Sequence, residues 1–245
     1  MNSVIEGIYN RKSVRQYEEK EIPSDIKEAI LRAAFEAPTA GNQMLYSIID
    51  VTDQNLKDQL AETCDHQPFI AKAPLVLIFL ADTRRWLDAY KEAGLDAREP
   101  GMGDLFLAMQ DAIIAAQNAV VAAESFGIGS CYIGDILENV ELHRELLGLD
   151  PYTVPISMLV MGYPTESQIS RTKPKRFDRT FIVFENKYRR LSGEELREMH
   201  QRQSVKPDYD FDTDVQAFGK RKYMSDFSLE MTRSCEVYAK AFLKL

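Results

Sequence analysis

The sequence predicts an α/β or α+β sandwich around a sheet buried on both faces, and three observations lead there. Leu75-Val76-Leu77-Ile78-Phe79-Leu80, entered from Pro74, is an unbroken apolar run, and Val154 to Met161 is another. Such runs mark strands covered on both sides. Segments of helical periodicity alternate with these runs along the chain. The longest helical pattern, Asp104 to Phe126, is apolar around most of its circumference through Leu105, Phe106, Met109, Ile113, Ile114, Val120 and Val121. A helix of that kind is central, buried by other elements or by a partner chain.

The remaining elements follow in order. Val4, Ile5, Ile8 and Tyr9 give a short apolar helix pattern. Ser24 is a plausible N-cap for a helix carrying Ile26, Ile30, Ala33 and Ala34, and Pro38 stops that pattern. Tyr46 to Val51 predicts a strand, Gln54 to Thr63 a helix, and Thr83 to Ala93 a helix with Trp86, Leu87 and Tyr90 on one side. Asp96 to Gly103 is a turn-rich break. Gly127 and Gly129 end the long helix, and Cys131-Tyr132-Ile133 reads as a short strand. Val140 to Leu147 predicts a helix stopped by Gly148. After about Ser167 the chain turns polar. Helices are expected near Gly193 to Gln203, where Ser192 and Glu195 fit a capping box, and over Phe227 to Leu243. The expected organisation is one domain over residues 1–190 and a C-terminal helical arm over 191–245 that belongs to it.

Composition bounds the function. With 245 residues, 45% of them hydrophobic, the chain can bury a real core. A net charge of -8 argues against nucleic acid as the main partner, because phosphate neutralisation drives that binding. The N-terminus has no apolar segment of the secretory kind, and Pro74 to Ala81 falls far short of the roughly 20 residues of a membrane helix. The expectation is a soluble, cytoplasmic protein with no membrane partner. Cys64, Cys131 and Cys235 are too few and too widely spaced for a disulfide framework or a zinc site, and His66, His143 and His200 form no metal-spaced pair. No metal is expected. There is no dinucleotide fingerprint after a strand, no Walker A motif and no GxSxG elbow.

Three segments remain. Arg11-Lys12-Ser13-Val14-Arg15 packs three cations and a hydroxyl into five residues; extended, it places Arg11, Ser13 and Arg15 on one side. Guanidinium forks match phosphate oxygens, although the same run also reads as a solvated charge cluster. Ala37-Pro38-Thr39-Ala40-Gly41-Asn42-Gln43 follows a helix with small residues and two amides, which suits the edge of a heterocycle as well as an ordinary loop. Gly127-Ile128-Gly129-Ser130-Cys131-Tyr132-Ile133-Gly134 would let a ligand approach the backbone, or would simply cap a helix before a strand.

Together and in this order, these segments resemble the nitroreductase (flavin oxidoreductase) family. The opening run Arg11-Lys12-Ser13-Val14-Arg15-Gln16-Tyr17, the Ala37 to Gln43 loop, the apolar helix ending at Gly127-Ile128-Gly129, Gly162-Tyr163-Pro164 and the basic Lys173-Pro174-Lys175-Arg176 carry the resemblance, over roughly residues 1 to 190. It implies an α+β fold, an α/β/α sandwich with a mostly antiparallel central sheet and a long central dimer helix. It implies a homodimer with FMN at the subunit interface and NADPH or NADH as electron donor. Electrons pass through flavin N5 to a small acceptor (a nitroaromatic, a quinone or a flavin) by a ping-pong mechanism. No side chain is catalytic in that scheme, because the flavin carries the chemistry. By the same resemblance, Arg11, Ser13 and Arg15 bind the phosphate, ribityl chain and pyrimidine edge, with Lys12 beside them. Pro38, Thr39, Ala40 and Asn42 line the flavin from the neighbouring subunit. Gln67 bonds the ribityl chain or ring, Ile133 and Gly134 bring a backbone N–H near N5, and Lys173 with Lys175 or Arg176 completes the phosphate site. A dehalogenase-like or flavin-fragmenting member, or a non-catalytic FMN-binding module, remains the alternative.

Overall fold

A computed structural model describes residues 1–243. The chain forms two compact units, Met1–Arg171 with Glu230–Leu245, and Thr172–Leu229. The units change at 171/172 and 229/230.

The first unit is built on four strands, β1 (Tyr46–Asp50), β2 (Leu75–Asp82), β3 (Gly129–Ile133) and β4 (Thr153–Gly162), in the order β1-β2-β4-β3. Every neighbouring pair is antiparallel. Strands β2 and β4 are buried along their whole length, as their unbroken apolar runs predict. Alternation sorts their side chains. Leu75, Leu77, Phe79 and Ala81 enter one core, and Val76, Ile78 and Leu80 enter another. Helices cover both faces, which makes the α/β/α sandwich. The fold is α+β.

Helices α1 (Ser3–Asn10), α2 (Ser24–Phe35), α3 (Gln54–Thr63), α4 (Arg84–Glu92), α5 (Met102–Ser125), α6 (Val140–Leu147) and α7 (Glu166–Ser170) belong to this unit. Helix α2 starts one residue earlier than expected: Pro23 is its N-cap, and Ser24, the expected cap, is its first helical residue. A proline is pre-set for a helix start and lacks only an N–H that would be unpaired there. Leu60 and Ala61 of α3, with Ile70 and Ile136, fill the second core, while α2 and α5 build the first.

Helix α5 is 24 residues long, long and apolar enough to span a membrane, but it lies on the sheet as a core helix. Its sheet-facing stripe is made of small residues, Ala108, Ala112, Ala115, Ala116, Ala119 and Ala123, all fully buried. Leu105 and Val120 are buried with them, while Phe106 is 55% exposed, Leu107 43%, Ile113 42% and Ile114 39%. The sheet therefore buries only one side of a helix that is apolar on both.

The chain returns to this unit through α10, which runs Asp226–Ala239 and ends in the 3-10 turn Lys240–Leu243. Tyr238 and Phe242 are buried in the first core. Arg233 makes a bidentate pair with Glu141 at 2.8 Å, and the backbone N–H of Val140 donates to Ser234 Oγ at 3.1 Å.

The second unit holds α8 (Gly193–Gln203) and α9 (Phe211–Lys222). The predicted capping box is present: Glu195 N donates to Ser192 Oγ at 3.2 Å, and Ser192 N donates to Glu195 Oε2 at 2.8 Å. Helix α9 was not read from the sequence, although Asp210 caps it by accepting from Thr213 N at 2.9 Å. An edge-to-face chain of Phe177, His200 and Phe211 packs the two helices.

Candidate functional site

The cationic run folds as an extended strap on the outer edge of β3. Val14 N donates to Ser130 O at 2.9 Å, Ser13 bridges Ser130, and Tyr17 bridges Pro164. Two glycines let the strap seat. A Cβ on Gly129 would stand 2.5 Å from Val14 Cγ2, and one on Gly162 would stand 2.7 Å from the Tyr17 ring. Gly129 thus serves strap packing, whereas Gly134 faces open space and remains a place for close backbone approach.

Alternation along the strap divides its side chains. Val14 turns inward and is buried. Arg11, Ser13 and Arg15 all lie near enough to the Cys131 thiol to pull its pKa down. The Arg11 guanidinium lies 5.9 Å from the Tyr132 ring, and that of Arg15 lies 6.0 Å from the Phe69 ring. Arg11 Nε is buried and has no hydrogen-bond partner among the described residues. A buried donor on a permanent cation without an acceptor is costly unless a ligand supplies one. Lys12 turns elsewhere: its ammonium donates to Ile169 O at 2.6 Å and to Arg171 O. It ties the strap to the end of α7. Arg171 donates back to Ser13 O, and the half-buried strap backbone is further held by Gln168, whose Oε1 accepts from Arg15 N at 3.1 Å.

Gln67 arrives from a tight turn after α3, in which Asp65 (φ 62°) and His66 (φ 50°) both adopt left-handed backbone. Each such residue costs roughly 1–2 kcal/mol and persists only where its surroundings hold it. Here Gln67 N donates to Ala61 O at 2.8 Å. The Gln67 amide nitrogen donates to Cys64 O at 2.7 Å and to Asp135 Oδ2 at 3.0 Å. Asp135 follows Ile133 and Gly134 at the end of β3, in the 3-10 turn Asp135–Leu137. The strap seats at the start of β3, on Gly129 and Ser130, while the Gln67 turn and the Ile133-Gly134 corner lie at its other end. His143 braces the corner: its Nδ1 bonds Ile136 O and its Nε2 bonds Thr63 Oγ1, both at 2.9 Å. The ring is fully buried, and that burial pushes its pKa below the ordinary value.

The Ala37 to Gln43 loop is anchored separately, on α5. Asp111, only 3% exposed, accepts from Ala40 N and Leu45 N at 3.1 Å each and from the Thr39 hydroxyl. Thr39 Oγ1 in turn accepts from Met44 N at 2.8 Å. This anchoring supports three left-handed residues, Gly41, Asn42 and Met44. From the other side, Trp86 Nε1 donates to Gln43 O at 2.7 Å. Asn42 is exposed at the tip, while Thr39 and Ala40 are half-buried.

Lys173, Lys175 and Arg176 lie in the second unit. Lys175 donates to Arg202 O, and its own carbonyl accepts from Gln203 Nε2 at 3.2 Å. Lys175 and Arg176 are exposed and Lys173 is half-buried.

Sequence reasoning missed Asp111, Asp135 and Gln168. Asp111 carried a signal, a lone carboxylate inside an apolar helix, because such a charge needs donors from elsewhere in the fold. Asp135 and Gln168 carried none.

An arginine with an unsatisfied buried donor, a fixed amide and an open backbone corner are thus arrayed along β3 of the sandwich. The chain matches the nitroreductase family over residues 8–163, and it belongs to that family. It is 32% identical over 191 residues to an oxygen-insensitive NADPH nitroreductase of Salmonella typhimurium, covering 78% of this chain and 77% of that protein. It is 33% identical over 184 residues to an FMN reductase [NAD(P)H] of Bacillus subtilis, covering 71% and 70%. Among solved structures, nitroreductase A from Vibrio parahaemolyticus aligns with a TM-score of 0.83 at 25% identity, covering 98% of each chain.

Proposed function

We propose that the protein is an FMN-dependent NAD(P)H oxidoreductase that works as a homodimer and reduces a small acceptor by a ping-pong mechanism. The observation that carries this reading is the buried, unpartnered Nε of Arg11, in a strap that also carries Ser13 and Arg15. A phosphate supplies the acceptor oxygens that this cluster lacks, in the bidentate geometry guanidinium favours. Family membership and the names of the relatives supply the cofactor and donor: an FMN reductase and an NADPH nitroreductase.

FMN, held there, would supply the redox chemistry that carries electrons from the nicotinamide to the acceptor. The chain's own residues have the tasks of holding and orienting. Arg11 and Arg15 neutralise the phosphate and the pyrimidine edge, and Ser13 adds a hydroxyl between them. Gln67 and the Ile133-Gly134 backbone meet the ring or ribityl chain. Pro38, Thr39, Ala40 and Asn42 close the site from the partner subunit. The acceptor class is a nitroaromatic, a quinone or a free flavin. The exposed apolar face of α5, with Phe106, Leu107, Ile113 and Ile114, supports the dimer.

The test is anaerobic. The FMN-loaded protein is mixed with NADPH or with NADH, and the flavin absorbance is followed. Rapid bleaching by either nucleotide, then recovery on adding a quinone or nitroaromatic, is expected. A protein that stays colourless with added FMN overturns the reading, and a loaded protein that neither nucleotide bleaches reduces it to FMN binding alone.

A further inference from the structure

We infer that Asp135 is a positioning residue of the site: with the Cys64 carbonyl it fixes the Gln67 amide so that the amide oxygen, and not its NH2, faces the bound ligand. The inference rests on the FMN reading above and adds to it which way round this side chain works.

The argument is one of donors and acceptors. An amide offers two N–H donors on one end and a carbonyl oxygen on the other. In coordinates alone the two ends are hard to tell apart, and their neighbours decide. Here the neighbours leave no choice. Cys64 O, at 2.7 Å, and Asp135 Oδ2, at 3.0 Å, are both acceptors, so the end facing them is the NH2. Both hydrogens are then committed. What Gln67 presents to a ligand is Oε1, which can only accept. The ligand must bring an N–H or O–H to that point. Both the ribityl hydroxyls and the pyrimidine N–H of FMN qualify, whereas a carbonyl oxygen or an unprotonated ring nitrogen is rejected.

Two further observations show that this orientation is built in. The turn that delivers Gln67 holds two consecutive left-handed residues, neither of them glycine, and so is braced rather than relaxed. The segment carrying Asp135 is clamped to the end of α3 at two other points. Asn139 Nδ2 donates to Thr63 O at 2.9 Å, and His143 Nε2 bonds Thr63 Oγ1 at 2.9 Å. Because Asp135 directly follows Gly134, the same carboxylate couples the amide to the Ile133-Gly134 corner. Without Asp135, the NH2 keeps a single partner and the amide is free to rotate.

The test is FMN titration of the apoprotein, read by flavin fluorescence, in a double-mutant cycle. Wild type, Asp135→Leu, Asp135→Asn, Gln67→Leu and the double variant Asp135→Leu/Gln67→Leu are compared, each checked by circular dichroism for an intact fold. Asp135→Leu is expected to weaken FMN at least tenfold. Asp135→Asn keeps an acceptor oxygen for the Gln67 NH2 and is expected to stay within threefold of wild type. In the Gln67→Leu background, the loss of Asp135 is expected to cost less than a further threefold, because its role passes through Gln67. If Asp135→Leu does not fold, Asp135→Ser, whose hydroxyl is too short to reach the amide, takes its place. Equal losses from Asp135→Leu in both backgrounds, or Asp135→Asn as weak as Asp135→Leu, overturn the role of Asp135 while leaving FMN binding intact. A wild-type apoprotein that does not bind FMN overturns the flavin reading, and this inference with it.

Discussion

At the scale of single residues, the proposed function separates groups assigned to the ligand from groups that only look reactive. Arg11 belongs to the first kind. Its replacement by alanine is expected to weaken FMN binding more than tenfold, about 1.4 kcal/mol or more, while riboflavin, which lacks the phosphate, changes little. Parallel titrations with the two flavins check this, and equal losses would show that Arg11 does not read phosphate. Cys131 belongs to the second kind. It lies under the arginines, but burial pushes its thiol up by more than Arg15, Ser13 and Arg11 pull it down. A thiol with a raised pKa is a poor nucleophile. Cys131→Ala is expected to retain FMN and hold kcat within about threefold, a barrier change under ~1 kcal/mol. A hundredfold loss of turnover at equal flavin content would contradict this. His143 adds a pH signature. Its folded pKa is lowered by burial, so below the unfolded value of ~6.5 the unfolded chain takes up a proton that the folded chain resists. Stability is therefore present in full above about pH 6.5 and declines as pH falls below it. Thermal melts are expected to show Tm dropping from pH 7 to 5, with a flatter profile in His143→Gln; identical slopes would assign the drop to other groups.

At the scale of elements, α5 shows what periodicity reveals and what it hides. Its existence and apolar character were legible in the sequence, but which of its apolar residues meet the sheet was not. Leu, Ile and Phe look like core in a pattern, yet most of what α5 buries is alanine, with Leu105 and Val120 beside it, while Phe106, Leu107, Ile113 and Ile114 stay exposed. Ala116→Leu is expected to destabilise the fold by roughly 1–3 kcal/mol through overpacking. Denaturant midpoints measure this; a neutral outcome would mean the helix stands further from the sheet than the buried alanines indicate. The same division of legibility holds elsewhere. Buried strands β2 and β4 announce themselves because both faces are apolar, and the strap is readable because its charges alternate with Val14. Asp111 and its loop were not readable as a unit, since a carboxylate on α5 and the backbone donors of residues 39–45 are joined only by the tertiary fold. Lys12 was legible as a cation but not as to its target. A lysine serves a carbonyl or a phosphate equally well, and its neighbours decide. Helix α9 was obscured by a mean polarity that leaves little apolar stripe, although its Asp210 cap was there to see.

At the scale of the whole molecule, the outward face of α5 is the largest unsettled feature of the isolated protomer. Four large apolar residues in one exposed helix face favour a partner over water. Light scattering is expected to give twice the 28.0 kDa of one chain, and Ile113→Lys is expected to yield monomers that, under the proposed shared site, lose FMN. A wild-type monomer that retains FMN and turns over would exclude the shared site. The return of α10 to the first unit has a different kind of consequence, one of timing. Tyr238 and Phe242 belong to the same core as the sheet and α5, but the whole second unit precedes them in the chain. During synthesis at roughly 5–20 residues per second, about 3–12 s pass between the appearance of residue 171 and that of residue 230. Through that interval the nascent sheet carries an unfinished apolar cover. The chain's exposure to aggregation is thus greatest on the ribosome, before its own distal helix has arrived to seal the core.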